Sequence, residues 1–118
     1  MAVKAPQPIS TRPLLNESYR ALAESFRRTL LAENKSPKTI KTYCEAVNQL
    51  RQFLAAQGMP GEPTHITREH VESFVTDQLS RWKPATALNR YRGLTVFFTW
   101  LLEEGEIRTS PMANMKTM

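Results

Sequence analysis

The segment NKSPKTIKTY, residues 34–43, places three lysines and no acidic residue within ten positions. Lysine ammonium groups neutralise phosphates, and threonine hydroxyls can donate hydrogen bonds to phosphate or sugar oxygens. On a helical wheel, Lys38, Lys41 and Thr42 share one exposed face. Lysines at a helix start oppose the helix dipole by ~0.3–1 kcal/mol each, whereas a bound polyanion reverses that sign. The segment therefore suggests a phosphate-binding surface, although a solvated lysine-rich surface explains it equally well.

A second basic segment, RWKPATALNRYRG at residues 81–93, also contains no acidic residue. Its polar side chains could contact bases as well as phosphates, because asparagine is the type that pairs with adenine and arginine the type that pairs with guanine. We place Thr86 and Asn89 on the exposed side of a helix there. Gly93 costs ~1 kcal/mol relative to alanine in a helix interior. Its presence suggests a close backbone approach to a helix or to a ligand.

Other reactive side chains are few and form no catalytic pattern. The single Cys44 cannot form an internal disulfide and lies on the apolar side of a predicted helix, which favours a structural role. His65 and His70 have no partners at metal-ligand spacing, so we predict neither a metal site nor a cofactor. Because no nucleophile constellation or acid/base pair is visible, a self-contained enzyme ranks last among the possible functions.

Four helical segments must position these groups, and the first covers about residues 18–33. The second begins with Ser36 as N-cap and Pro37 at the first helical position, and Gly58 ends it. Thr67 is the predicted cap of the third helix. The apolar residues of these three helices that are predicted to face the core are Tyr19, Leu22, Ala23, Phe26, Leu30, Ile40, Tyr43, Cys44, Val47, Leu50, Leu54, Val71, Phe74, Val75, Leu79 and Trp82.

The fourth predicted helix begins at Pro84 and runs to about Glu104, before Gly105. Its second half, LTVFFTWLL at residues 94–102, is apolar around nearly its whole circumference, which places it at the centre of the fold. We find no alternating strand pattern and predict an all-α, compact four-helix bundle. Residues 1–16 contain prolines but no apolar period, and we predict that they form a flexible leader.

Composition and charge limit the class of protein. With 118 residues, 41% of them hydrophobic, the chain can form one domain with a real core. No apolar run reaches the roughly 18–20 residues of a membrane span, and the N-terminus lacks the apolar core of a signal peptide. We therefore expect a cytoplasmic protein without a membrane partner.

The net charge of +5 is unevenly distributed. Residues 35–57 contain four basic and one acidic side chain, and residues 81–97 contain four basic and none acidic. Residues 58–80, which separate them, contain one basic and four acidic side chains. Two separate basic segments of this kind indicate a polyanionic partner.

In combination, these segments resemble the N-terminal core-binding domain of phage integrases and Xer-type tyrosine recombinases, a SAM-like four-helix domain. The resemblance covers about residues 18–115. It rests on SPKTIKTYCEAVNQLRQFL in the second helix, on ITREHVESFV in the third and, most specifically, on ATALNRYRGLTVFFTWLLEEGEIRTSPM. The last segment is similar to the family's run of Thr, Asn-Arg, a Leu, paired aromatics, then Gly, Ile and Ser/Asn-Pro.

The resemblance implies that residues 17–108 bind double-stranded DNA and clamp a recombination site during DNA integration or recombination. The second and fourth helices of the family face the major groove. The implied partners are the protein's own C-terminal catalytic domain, reached through a linker that starts at residues 109–118, and other recombinase protomers on the DNA. The residues that the resemblance assigns to DNA by position are Lys35, Lys38, Thr39, Lys41, Thr42, Lys83, Thr86, Asn89, Arg90 and Arg92.

The resemblance also implies that this chain does not cut DNA by itself. Family catalysis uses a tyrosine nucleophile with arginines, a histidine and a lysine on the second domain. Tyr19, Tyr43 and Tyr91 all lie in predicted helices of the bundle and lack that context.

We expect Lys41 and Arg90 to lie off the core, where they are free to contact DNA.

Two alternatives without catalysis remain open. A helical protein-interaction module with an acidic partner would explain the charge pattern and predicts little affinity for duplex DNA. A stand-alone helical transcription regulator would bind one DNA sequence tightly as an isolated chain. A DNA affinity that falls steeply with salt would count against the first alternative, and nearly non-specific binding would count against the second.

Overall fold

The computed structural model of the protein describes residues 15–115. Within this range the chain forms four α-helices and no β-strand, which confirms the predicted all-α class. The predicted leader at residues 1–16 lies outside the described residues except for its last two positions, which belong to the first helix. The helices are α1 (Leu15–Ala32), α2 (Pro37–Ala56), α3 (Arg68–Arg81) and α4 (Pro84–Glu103), with a 3-10 turn (Pro63–His65) before α3.

Local capping signals set the ends of the helices. Ser36 has an extended backbone, and its hydroxyl accepts a hydrogen bond from a backbone N–H in the first turn of α2. At the start of α3, the Thr67 hydroxyl accepts from the His70 N–H, and His70 Nδ1 accepts from the Thr67 N–H. Gly58 and Gly105 follow α2 and α4 with φ of 68° and 77°, the left-handed conformation that terminates helices. The predicted start and stop signals are confirmed.

The second half of α4 forms the centre of the bundle, as its all-round apolar sequence predicts. Leu94, Phe97, Phe98 and Leu101 on this half are fully buried. The ring of Phe97 lies 5.2 Å from the ring of Phe26 on α1, an edge-on contact that ties the two helices together. Although α4 is apolar on most sides, neither it nor any other helix within residues 15–115 is long and apolar enough to cross a membrane.

The last turn of α3 differs from the prediction. Leu79 and Trp82 were expected to face inward, but 44% and 48% of their surfaces are exposed, so this prediction is wrong. The inward position of that turn belongs to Gln78, which is only 1% exposed. Trp82 follows the helix with an extended backbone (φ −130°, ψ 167°), so its side chain no longer follows the helical period.

The chain that follows α4 turns back onto the bundle. Ile107 and Met112 are buried, and Met115 packs partly against the core. The segment at residues 109–118, predicted to start a linker, therefore packs on the bundle as far as Met115. Its last three residues lie outside the described part of the chain, and its role as a linker stays a prediction.

Candidate nucleic-acid interface

The two predicted basic segments belong to α2 and α4, which share the most extensive contact between any two helices of the described chain. They meet at Gly93, where a Cβ atom would lie 2.9 Å from Ala46 Cβ and 3.3 Å from Tyr43 Cα. Real Cβ atoms essentially never approach another atom to less than 3.0 Å. The missing side chain thus allows the two backbones to cross closely, which confirms the close approach predicted for Gly93 and identifies the partner as a helix.

Hydrogen-bonding side chains lie on both helices beside this crossing. On α2, Thr39 and Thr42 lie one turn before the residues that contact Gly93. On α4, Thr86 and Asn89 lie two turns and one turn before Gly93 itself. The three threonines are partly buried and Asn89 is exposed. By helical spacing, these four predicted site residues lie one or two turns before the crossing on their own helices.

Five of the predicted cationic residues lie on the surface without a neutralising partner. No carboxylate among residues 18–115 forms an ion pair with any of them, whereas Arg27, Arg68 and Arg81 each pair with an acid. Their uncompensated charge gives the starts of α2 and α4 a positive potential. The five exposed residues are Lys35, Lys38, Lys41, Lys83 and Arg92.

Arg90 differs from the other predicted residues because it is buried, with only 8% of its surface exposed. Its Nη1 donates a hydrogen bond to Gln78 Oε1, and its Nη2 lies 3.7 Å from Glu45 Oε2. The guanidinium also lies 5.1 Å from the centre of the Trp82 ring. The prediction that Arg90 lies off the core is wrong. A buried charge is tolerated here because these partners on α2, on α3 and after α3 replace its hydration.

Comparison with protein families agrees with this architecture. Residues 22–106 match the phage integrase N-terminal SAM-like domain, a range that includes α2, α3, α4 and most of α1. The chain belongs to this family. Among curated proteins and solved structures there is no significant match. The resemblance inferred from the motifs is thereby confirmed over both basic segments.

Glu45 is a member of this integrase-domain surface that the sequence analysis did not select. It is the single acid in the basic segment of α2, it lies one turn after Lys41 on the same face, and its side chain is half exposed. Its ion pair with Arg90 links the two basic segments directly. The available sequence signal was its spacing of four residues from Lys41, which places both on the predicted contact face.

The two helix starts of the integrase domain differ in their capping. The first turns of α2 and α4 both lack acidic residues, so no carboxylate offsets the positive end of either helix dipole. On α2, the Ser36 hydroxyl caps the helix and also donates to Thr39 Oγ1 at 2.9 Å. On α4, the N-cap is Lys83, whose side chain makes no capping hydrogen bond. The start of α4 is therefore open to an anion, with a lysine beside it.

The nucleophile-type side chains of the integrase domain have structural surroundings. Tyr19 is fully buried and its hydroxyl donates to the Val47 carbonyl at 2.8 Å, and burial raises its pKa above the ordinary value. Burial likewise raises the pKa of the Cys44 thiol, which keeps it in the weakly nucleophilic neutral form. Tyr43 is half-buried at the α2–α4 crossing, and Tyr91 is buried. Within residues 15–115 no cluster of His, Cys, Asp or Glu is arranged to hold a metal ion.

Proposed function

We propose that this chain is the DNA-binding N-terminal domain of a site-specific tyrosine recombinase or integrase. It binds the major groove of a recombination site during DNA integration or recombination. The observation that carries the proposal is that two helices with acid-poor, cation-rich first halves cross at Gly93 and are linked by the Arg90–Glu45 ion pair. Family membership supports the same conclusion, because the matched range contains both helices.

The arrangement separates phosphate binding from base contact. The exposed lysines at the outer ends of α2 and α4 neutralise phosphates, which provides affinity and orients the domain. Thr42 and Asn89 lie nearer the crossing, where short polar side chains reach base edges. Arg90 positions Glu45 and Trp82 from inside the bundle and does not touch DNA. Direct contacts therefore come from the first halves of α2 and α4, and the buried second half of α4 holds them in place.

In this proposal the domain recognises DNA and does not cut it. Strand cleavage and joining belong to a C-terminal catalytic domain of the parent recombinase, which acts in the cytoplasm on DNA. Other protomers bound to the same site complete the assembly. The buried Tyr19, with its hydroxyl bonded to a backbone carbonyl, cannot serve as the nucleophile of that reaction. The isolated chain should bind a duplex and leave it intact.

Titration of a fluorescent duplex of about 30 base pairs with the chain at several salt concentrations tests this function. We expect log K to fall linearly with log[salt], with a slope between about −3 and −5 if most of the five exposed cations contact phosphates. Absence of duplex binding at low salt would refute the proposal. It would favour instead the helical protein-interaction module with an acidic partner.

A pair of matched variants locates the surface. Lys38→Gln/Lys41→Gln should reduce the magnitude of the salt slope by roughly 0.9 for each lost phosphate contact. Arg108→Gln removes one exposed charge that has no ion pair among residues 18–115, but Arg108 lies beside the start of α3, outside the proposed surface. Equal effects per removed charge would show that binding follows net charge alone and would remove the α2–α4 surface.

A further inference from the structure

A second basic surface lies in the groove between α1 and α2, which the proposed α2–α4 interface does not use. The groove encloses about 390 Å³ beside the buried Tyr19. Three arginines line it, Arg20 and Arg27 from α1 and Arg51 from α2, together with one acid, Glu24. A concave surface with this excess of arginine suits an anionic ligand, because guanidinium groups bind phosphate in a bidentate manner.

Glu24 does not neutralise the groove. Glu24 Oε1 lies 3.5 Å from Arg27 Nε, and Glu24 Oε2 lies 3.9 Å from Arg28 Nη1, so this carboxylate already serves two arginines. Arg20 and Arg51 form no ion pair with any carboxylate among residues 18–115, the part of the chain whose side chains are described. Within these residues, two positive charges at the groove are left without a counter-charge.

The groove is continuous with the proposed DNA surface along α2. Lys41 and Asn48 are separated by two helical turns and therefore lie on nearly the same side of α2. The Oδ1 atom of Asn48 accepts a hydrogen bond of 3.0 Å from Arg51 Nη2, which holds the guanidinium on this side of the helix without cancelling its charge. Lys41 and Arg51 are about 15 Å apart along the helix axis. A line of basic and hydrogen-bonding groups thus leads from one surface into the other.

We propose that the groove of Arg20, Arg27 and Arg51 binds the sugar-phosphate backbone of the same DNA duplex that the α2–α4 surface contacts. This inference rests on the proposed function and extends the contacted region from α2 to α1. The groove offers charge and no base-reading pattern, since its polar lining is dominated by arginine. It therefore contributes affinity at any DNA sequence and reads no base.

The double variant Arg20→Gln/Arg51→Gln tests the groove in the salt titration. If both arginines contact phosphates, the magnitude of the salt slope falls by about 1.8, roughly 0.9 for each contact, with similar effects on unrelated duplexes. Arg108→Gln, which removes one exposed charge, is again the control, and its effect should be far smaller than the roughly 0.9 expected for each groove arginine. Thermal melting checks that the variant is folded. We expect little change in Tm, because Arg20 is exposed and, among residues 18–115, Arg51 donates a side-chain hydrogen bond to Asn48 alone.

The single cysteine of the chain provides a second, local measurement. Cys44 lines the same groove and is partly exposed, so its alkylation by iodoacetamide reports access to the groove. We expect a saturating duplex to slow alkylation of the wild-type chain several-fold. In Arg20→Gln/Arg51→Gln at a saturating DNA concentration this protection should largely disappear.

The outcomes separate this inference from the proposed function. The groove proposal would be overturned if Arg20→Gln/Arg51→Gln binds the duplex with the same salt slope as the wild type and the duplex does not protect Cys44 of the wild type. The α2–α4 interface would remain intact in that case. A wild-type chain that binds no duplex would overturn both. The chain could also fail to bind DNA but bind a polyglutamate peptide that protects Cys44 from alkylation. This result would assign the groove to an acidic protein and would also overturn the inference.

Discussion

Replacement of Arg90 by methionine should destabilise the fold rather than weaken direct DNA contacts. Methionine retains a long unbranched side chain, so the packing of the arginine stem is largely kept while the guanidinium is removed. The variant loses the hydrogen bond to Gln78, the ion pair with Glu45 and the cation–π contact with Trp82. The loss should appear in the free energy of unfolding.

The buried amide of Gln78 accounts for most of the expected cost. Gln78 is 1% exposed, and without Arg90 its Oε1 atom loses its donor, which costs about 1–3 kcal/mol. The cation–π contact with Trp82 adds about 0.5–2 kcal/mol. The ion pair with Glu45 adds only about 0–1 kcal/mol, because that carboxylate is half exposed. A total near 3 kcal/mol corresponds to a decrease in Tm of roughly 10–20 °C for a domain of this size.

Urea unfolding and thermal melting of Arg90→Met and Arg92→Met measure this difference. Arg92 lies two residues further along α4, is exposed and has no ion pair within residues 18–115, so its replacement should change the stability by less than about 0.5 kcal/mol. Arg90→Met combined with Gln78→Leu should recover part of the loss, because both polar partners are then apolar. Equal stability of Arg90→Met and Arg92→Met would refute the reasoning. A folded Arg90→Met variant whose salt slope is smaller in magnitude than that of the wild type would also refute the reasoning, because Arg90 would then contact DNA.

Three other substitutions have defined outcomes. Gly93→Ala should lower the unfolding free energy by about 1–3 kcal/mol in urea, because the new methyl group would lie too close to α2 and this strain exceeds the gain in helix propensity. Phe98→Ala, at a fully buried site in the centre of the bundle, should cost about 3–5 kcal/mol in the same measurement. Glu45→Gln should raise duplex affinity in the anisotropy titration, because it removes the single acid among the contacting residues of α2 while keeping an oxygen that can accept from Arg90.

Each of these predictions has an outcome that would contradict it. An unfolding midpoint of Gly93→Ala at or above that of the wild type would show that α2 and α4 can separate freely. A nearly unchanged melting temperature for Phe98→Ala would disprove the central position of α4. Lower or unchanged affinity of Glu45→Gln would show that this carboxylate does not face phosphates, and would move the contact surface away from the start of α2.

The helices and their ends could be predicted because the information is local. Ser36 with Pro37 and Thr67 with the residues after it fix helix starts within one turn, and Gly58 fixes an end. The central position of α4 followed from its all-round apolar second half for the same reason. Such signals do not depend on how the helices pack.

The errors concern the contact between α3 and α4, which depends on residues far apart in sequence. The inward stripe of α3 continues to Gln78, whereas the apolar character of Leu79 predicted that Leu79 faces inward. Arg90 was placed outside because it is charged. These two buried polar residues are hydrogen-bonded to each other although they lie twelve positions apart in the sequence. A strict helical period, applied without regard to polarity, would have indicated Gln78 on the same face as Val71 and Phe74.

The glycine at the α2–α4 crossing has a mechanical consequence for the ends of both helices. Pro84 lies nine residues before Gly93 on α4, and Lys38 lies eight residues before Ala46 on α2. The N-terminal arms of the two helices therefore extend about 14 Å and 12 Å from this pivot. A change of about 10° in the crossing angle would displace the end of an arm by about 2 Å, a large fraction of a hydrogen-bond length. The spacing of the lysines on the two arms is thus controlled by the bulk of residues at the pivot. If the two arms bind DNA as proposed, a substitution at this buried pivot would change recognition without altering any side chain on the contact surface.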